Sequence, residues 1–128
     1  MNAPDPLSPL TRASFASLER AGRFADSAGV VSGEAGSPAT GTHVRFHLRL
    51  AGSRVAEARF QAYGCPHTLA VANWLAGEMA GRTREAPWPG APPDWAARFE
   101  VPVAKLGRLL VIEDALRACL AAWPETVE

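Results

Sequence analysis

In the stretch His43-Val44-Arg45-Phe46-His47-Leu48-Arg49-Leu50, apolar and polar residues alternate without a break, and alternation resumes from Val55 to Tyr63. Successive side chains of a β-strand point to opposite faces, so this pattern fits a strand buried on one side and does not fit a helix. Val44, Phe46, Leu48 and Leu50 fall on one face, with His43, Arg45, His47 and Arg49 on the other. In the second run Ala56, Ala58, Phe60 and Ala62 oppose Glu57, Arg59 and Gln61. The connection Ala51-Gly52-Ser53-Arg54 is short and contains glycine, which predicts an antiparallel hairpin.

The rest of the chain supplies what packs on that hairpin. Residues 29–41 are rich in Gly, Ser and other small residues, with Val30 and Val31 as a short third strand before a turn at Ser37-Pro38. Leu10, Phe15, Leu18 and Phe24 recur at helical spacing and predict an amphipathic helix over 10–23. A second helix is expected from Pro66 to about Ala80, with Leu69, Ala72, Leu75, Ala76 and Met79 inward. Segment 82–98 holds Pro87, Pro89, Pro92 and Pro93 with Trp88 and Trp95, and reads as a connection with one helical turn from Asp94 to Phe99. Leu109, Leu110, Ile112, Leu116 and Leu120 predict a final helix over 106–123, with Cys119 in its core face. Residues 1–9 are Pro-rich and read as a flexible leader, and 10–128 as a single α+β domain. Its sheet has about three antiparallel strands, with helices packed on one face.

The length of 128 residues is enough for one modest core. The formal net charge of +0 gives no bulk electrostatic case for nucleic acid or for an anionic membrane. No apolar run approaches the roughly 18 residues of a membrane span, and the start carries no apolar stretch of the secretory kind. Two cysteines, Cys65 and Cys119, are too few for a disulfide framework, so a reducing cytoplasm is the expected setting.

Chemistry concentrates at Tyr63-Gly64-Cys65-Pro66-His67-Thr68. Gly64 permits a sharp turn and Pro66 suits a first helical position, which sets Cys65 at the mouth of a helix. Unpaired N–H groups and the positive end of the helix dipole favour a thiolate there, below the free value of about 8.5. His67 is close enough in sequence to act as a cation, a base or a ligand. The competing reading is a small buried hydrophobe. Other constellations are weaker. His43 and His47 on one strand face are separated by about 13 Å, too far to share a metal, and read as a solvated polar face. Glu113 and Asp114 diverge around a helix and make a poor acid–base pair. A zinc site at Cys65 and His67 lacks the four ligands that structural zinc uses. Cys65-Pro66-His67-Thr68 is similar to a thioredoxin-like Cys-Pro-His-Cys motif without its second cysteine, which leaves a monothiol redox protein as a minor reading. Neither a phosphate loop nor a nucleophile elbow is visible, and the chain does not read as an enzyme.

Three blocks carry a resemblance over roughly 10–123. Gly36-Ser37-Pro38-Ala39-Thr40-Gly41-Thr42 resembles Gly-Ala-Pro-Ala-Cys-Gly-Asp, and Ala58 to Cys65 resembles a strand ending in Tyr-Gly-Cys. Glu100-Val101-Pro102-Val103-Ala104-Lys105-Leu106-Gly107-Arg108 resembles Glu-Leu-Pro-Pro-Val-Lys-Ile-His-Cys, with Glu113-Asp114-Ala115 in register after it. These are motifs of the iron–sulfur cluster assembly scaffold proteins of the IscU type, also called the NifU N-terminal domain family. The resemblance implies that family's fold, a non-catalytic scaffold role and a cysteine desulfurase as partner. In the family three cysteines and an aspartate hold a nascent cluster, with a histidine beside the third cysteine. Carried over by position, the first cysteine falls on Thr40, the aspartate on Thr42 and the second cysteine on Cys65. The histidine falls on Gly107 and the third cysteine on Arg108.

Cys65 is thus the retained thiol, with His67 as an accessory ligand. The resemblance implies an iron–sulfur cluster or iron held weakly or transiently through Cys65, or no cofactor where the lost ligands are decisive. Clusters take thiolate ligands, typically four. An arginine near the site would also repel iron, by about 4 kcal/mol at 4 Å in an effective dielectric of 20. Val101 to Lys105 keeps one proline and the lysine of the family's chaperone-recognition stretch, which argues against docking of an Hsp70-type chaperone. Two functional readings follow. Cys65 handles sulfur, as a persulfide, or iron and cluster; alternatively the chain is an adaptor that keeps the fold for protein docking and binds no cluster.

Overall fold

The computed structural model describes Leu18 and residues 20–24, 29–83 and 89–123. The proposed leader 1–9 and most of the helix expected over 10–23 lie outside the described residues, as do Pro87 and Trp88. The described strands are β1 (Val30–Ser37), β2 (Thr42–Ala51) and β3 (Arg54–Tyr63), in the order β1-β2-β3 and antiparallel throughout. The described α-helices are α1 (Pro66–Met79), α2 (Pro92–Phe99) and α3 (Leu106–Ala122), with α1 against β3 and α3 against β1 and β2. A three-stranded antiparallel sheet with helices on one face is the architecture the sequence implies. Among the described residues it holds no parallel βαβ unit of the thioredoxin kind.

The hairpin forms as the alternation dictates, with His43 opposite Tyr63 and Phe46 opposite Phe60. One phase differs. Ala56 is exposed and Val55 buried, because the register shifts between Arg49 and Leu50. Arg49 pairs with Glu57 and Leu50 with Val55, so Ala56 is the extra residue of a β-bulge, which turns Val55 inward.

β1 is longer than its two valines announce, and the reason lies in the small residues beyond them. At Gly33 an added Cβ would lie 2.2 Å from the Cys119 backbone nitrogen and 2.5 Å from the Ala118 carbonyl carbon. The helix backbone rests directly on the strand there, so the glycine that reads as loop is what allows the contact. Phe46, Leu48, Phe60, Leu75, Ile112 and Leu116 form the core between sheet and helices. Each such burial contributes roughly 1.5–3 kcal/mol. Of the residues whose spacing predicts the final helix, Leu110 is exposed, on the outer side of α3. Leu69 is half-buried, while Ala70 and Val71 are buried, because α1 is covered on two sides.

The face of the sheet turned from the helices departs most from expectation. Ala21 bridges to Phe60 at the β3 edge, so the end of the expected first helix is extended chain. Phe24 then lies over the sheet beneath the guanidinium groups of Arg49 and Arg59. His47 is consequently buried, at 6% exposure, and is not part of a solvated face. Its Nε2–H donates to Gln61 Oε1 at 2.9 Å, and its Nδ1 accepts from the Ser32 hydroxyl at 2.8 Å. Burial, with Arg45 and Arg23 nearby, holds its pKa below the ordinary value, which fits this neutral tautomer.

Candidate functional site

Cys65 is the N-cap of α1, with extended backbone (φ −79°, ψ 168°) and Pro66 following in the first helical turn. Its carbonyl accepts the first helical bond, from Leu69 N–H at 3.2 Å. The helix offers no acidic residue in its first turn, so its free N–H groups face the sulfur uncompensated. Cys65 Sγ lies 3.6 Å from Thr68 Oγ1, and that hydroxyl donates once the sulfur is a thiolate. Burial by itself pushes the thiol pKa up. The backbone N–H and hydroxyl of Thr68, the backbone N–H of His67 and the charge of Arg108 outweigh it, and the net result lies below the ordinary value. Gly64 keeps this arrangement open, since an added Cβ would lie 3.1 Å from Thr68 Oγ1. The thiol is half-buried, which leaves it reachable.

Cys119 makes the contrast. It is fully buried, its Sγ–H donates to the Phe46 carbonyl at 3.3 Å, and burial pushes its pKa up to about 12. Free cysteines in such surroundings are inert.

His67 is 2% exposed, and neither ring nitrogen has a hydrogen-bond partner among the described residues. Burial, with Lys105 and Arg108 adding positive charge, pulls its pKa below the ordinary value. It is therefore a neutral imidazole, which removes the cation role from the roles open to it.

The fold gathers the other family positions at the same end of the sheet. β2 begins at Thr42, beside the His43–Tyr63 pair after which β3 turns through Gly64 into Cys65. A cavity of about 290 Å³ opens there, with Thr40, Thr42, Gly107 and Arg108 in its wall. Arg108 sits in the first turn of α3, where its charge reaches both Cys65 and His67. Among the described residues, no group of three or more His, Cys, Asp or Glu side chains is placed to hold a metal ion. One thiolate and the buried imidazole of His67, with two threonines, a glycine and an arginine, fall short of the four thiolate or imidazole donors that an iron–sulfur cluster takes. On sequence alone Thr40 and Thr42 read only as lost ligands. That reading misses Thr42, which at 5% exposure lines the cavity together with Arg108. No described helix is long and apolar enough to cross a membrane.

Comparisons with known proteins agree with this layout. Residues 14–127 match the model of the NifU-like N terminal domain. Over 95 residues, 73% of this chain and 74% of the relative, the chain is 28% identical to the iron–sulfur cluster assembly scaffold protein IscU of Escherichia coli K12. A stretch of 52 residues, 40% of this chain, is 46% identical to the bifunctional protein NifU/MnmA of Rubrobacter xylanophilus and spans only 11% of that longer protein. Two crystal structures share the fold. One, from Fervidobacterium islandicum AW-1, is described as an iron–sulfur cluster assembly scaffold for the SUF system. It has a TM-score of 0.69 at 14% identity, covering 90% of this chain and 96% of that one. The other, a NifU-like N-terminal protein of Brucella abortus, has a TM-score of 0.66 at 19% identity, covering 90% and 92%.

Proposed function

This chain belongs to the NifU-like N-terminal domain family of iron–sulfur cluster assembly scaffolds, and we propose that it serves that assembly through Cys65 as an acceptor of sulfane sulfur. The carrying observation is a reachable thiol whose pKa is lowered despite burial, in a site whose other family positions supply no thiolate or carboxylate. Such a cysteine needs no metal shell to react.

In the proposed step the Cys65 thiolate attacks the outer sulfur of a persulfide carried by a cysteine desulfurase. A new S–S bond forms to Cys65 as the donor S–S bond breaks. The donor's inner sulfur leaves with the electron pair as a thiolate, and the outer sulfur keeps its hydrogen. No net oxidation occurs. The end of α1 and Arg108 stabilise the anionic sulfur at each stage. His67, neutral and buried beside the site, is an accessory group able to receive a hydrogen bond. A reducing cytoplasm suits the reaction, since it keeps Cys65 free between transfers.

The adaptor reading has one observation in its favour. An apolar groove of about 440 Å³ runs between α2 and the start of α3, with Pro92, Pro93, Leu106 and Leu110 in its wall. Leu106 and Leu110 are exposed. The two readings separate in anaerobic incubation with ferrous iron, cysteine and a cysteine desulfurase, followed by assays of iron, acid-labile sulfide and sulfane sulfur. The expected outcome is near-stoichiometric sulfane sulfur in the wild type, its loss in Cys65→Ser, and iron far below stoichiometry in both. Stoichiometric iron and sulfide lost in the mutant would make Cys65 a cluster ligand instead. Protein bare of sulfur and iron in both would leave the adaptor.

A further inference from the structure

We infer that the cavity walled by Thr40, Thr42, Gly107 and Arg108 is an anion-binding site that seats a negatively charged group of the molecule reacting at Cys65. The inference rests on the reading of Cys65 as the reacting thiol, and it names what that thiol selects. Four observations converge on it. Thr42, a hydroxyl-bearing residue only 5% exposed, lines the cavity. Arg108 lines the same cavity, and its buried Nε is without a partner among the described residues. A guanidinium with an unpaired N–H beside a hydroxyl is the donor set that a carboxylate or oxyanion satisfies.

The third observation is the charge around them. Neither α1 nor α3 has an acidic residue in its first turn, so both positive helix ends are uncompensated. Arg108 in the first turn of α3 places a cation where a helix prefers an anion, an arrangement that a bound anion would relieve. The charged groups acting on Cys65 and His67 are the cations Arg108 and Lys105. Finally, Thr40 already donates its hydroxyl hydrogen to the Ser37 carbonyl at 2.9 Å, which leaves Thr42 and Arg108 as the side chains that recognise the ligand. The volume of about 290 Å³ admits a small carboxylate- or phosphate-bearing molecule. The place where the family holds metal cations has here the chemistry of an anion site.

The test compares alkylation of Cys65 by iodoacetate, which is anionic, and by iodoacetamide, which is neutral. The ratio of the two rates cancels the thiolate fraction, so it reports anion preference and not the thiol pKa. Cys119 is buried and un-ionised and does not contribute. Arg108→Gln is expected to lower the iodoacetate-to-iodoacetamide ratio by about fivefold, Thr42→Val by less, and Arg108→Lys to keep most of it. In the wild type, inorganic phosphate at constant ionic strength should slow iodoacetate and leave iodoacetamide unchanged. An unchanged ratio in Arg108→Gln, or phosphate slowing both reagents equally, would overturn the inference. Sulfur loading by a desulfurase is read separately. Loading that persists while Arg108→Gln leaves the ratio unchanged sinks the anion site alone, and a ratio lowered by Arg108→Gln without any loading sinks the sulfur-acceptor reading alone.

Discussion

At the residue scale, two cysteines in one chain are driven apart by their surroundings. Cys65 meets N–H groups, a hydroxyl and a distant guanidinium, whereas Cys119 meets a carbonyl and hydrocarbon. The first is lowered and the second is pushed up to about 12. The rate of iodoacetamide modification should therefore rise with pH along a titration centred below the ordinary thiol value, with a single reactive site by mass. Thr68→Val removes the hydroxyl but not the backbone N–H. It should move that titration upward and slow modification at neutral pH. A profile unchanged by Thr68→Val would show that the hydroxyl does not stabilise the thiolate. Cys65 and the helix mouth are legible in Gly64-Cys65-Pro66, because glycine and proline fix local geometry. The burial of His67 is not, since it is a tertiary property, as are the charges of Lys105 and Arg108 that reach it from far off in the chain.

At the scale of elements, the hairpin is readable because a period of two matches a half-buried strand and no helix. Its fine structure is not. Val55 and Ala56 are both apolar, so alternation alone does not say which faces the core, and the bulge decides it. β1 shows the opposite failure, where small residues mimic a loop although they serve close packing. Gly33→Ala should be among the most disruptive single-methyl additions, because the clash is with the backbone of α3 and not with a flexible side chain. Overpacking of this kind typically destabilises by about 1–3 kcal/mol, and backbone contact places this case at the upper end or beyond. Urea unfolding of Gly33→Ala against wild type measures it; a loss within about 0.5 kcal/mol, the range of surface substitutions, would refute the contact. His47 belongs here too. Its face alternates like a solvated one, yet it is buried on the side where Arg23 and Phe24 of another segment share a cavity wall with it.

At the scale of the whole molecule, the fold keeps the family's sheet, its helices and the convergence of three chain segments at one sheet end. The residues that the resemblance places at that convergence differ in charge and donor type from those of the family's motifs. Sequence comparison locates the positions Thr40, Thr42, Cys65, Gly107 and Arg108, but their joint meaning needs the cavity that brings most of them together. On the proposed function, a site with one thiolate and a guanidinium serves anionic sulfur and not a cluster. The most direct measurement is the intact mass of wild type and Cys65→Ser after anaerobic incubation with cysteine and a cysteine desulfurase, before and after reduction. The expected result is the mass of one added sulfur atom on the wild type, removed by reductant and absent from Cys65→Ser. An unmodified wild type, or the same adduct on Cys65→Ser, would contradict the account.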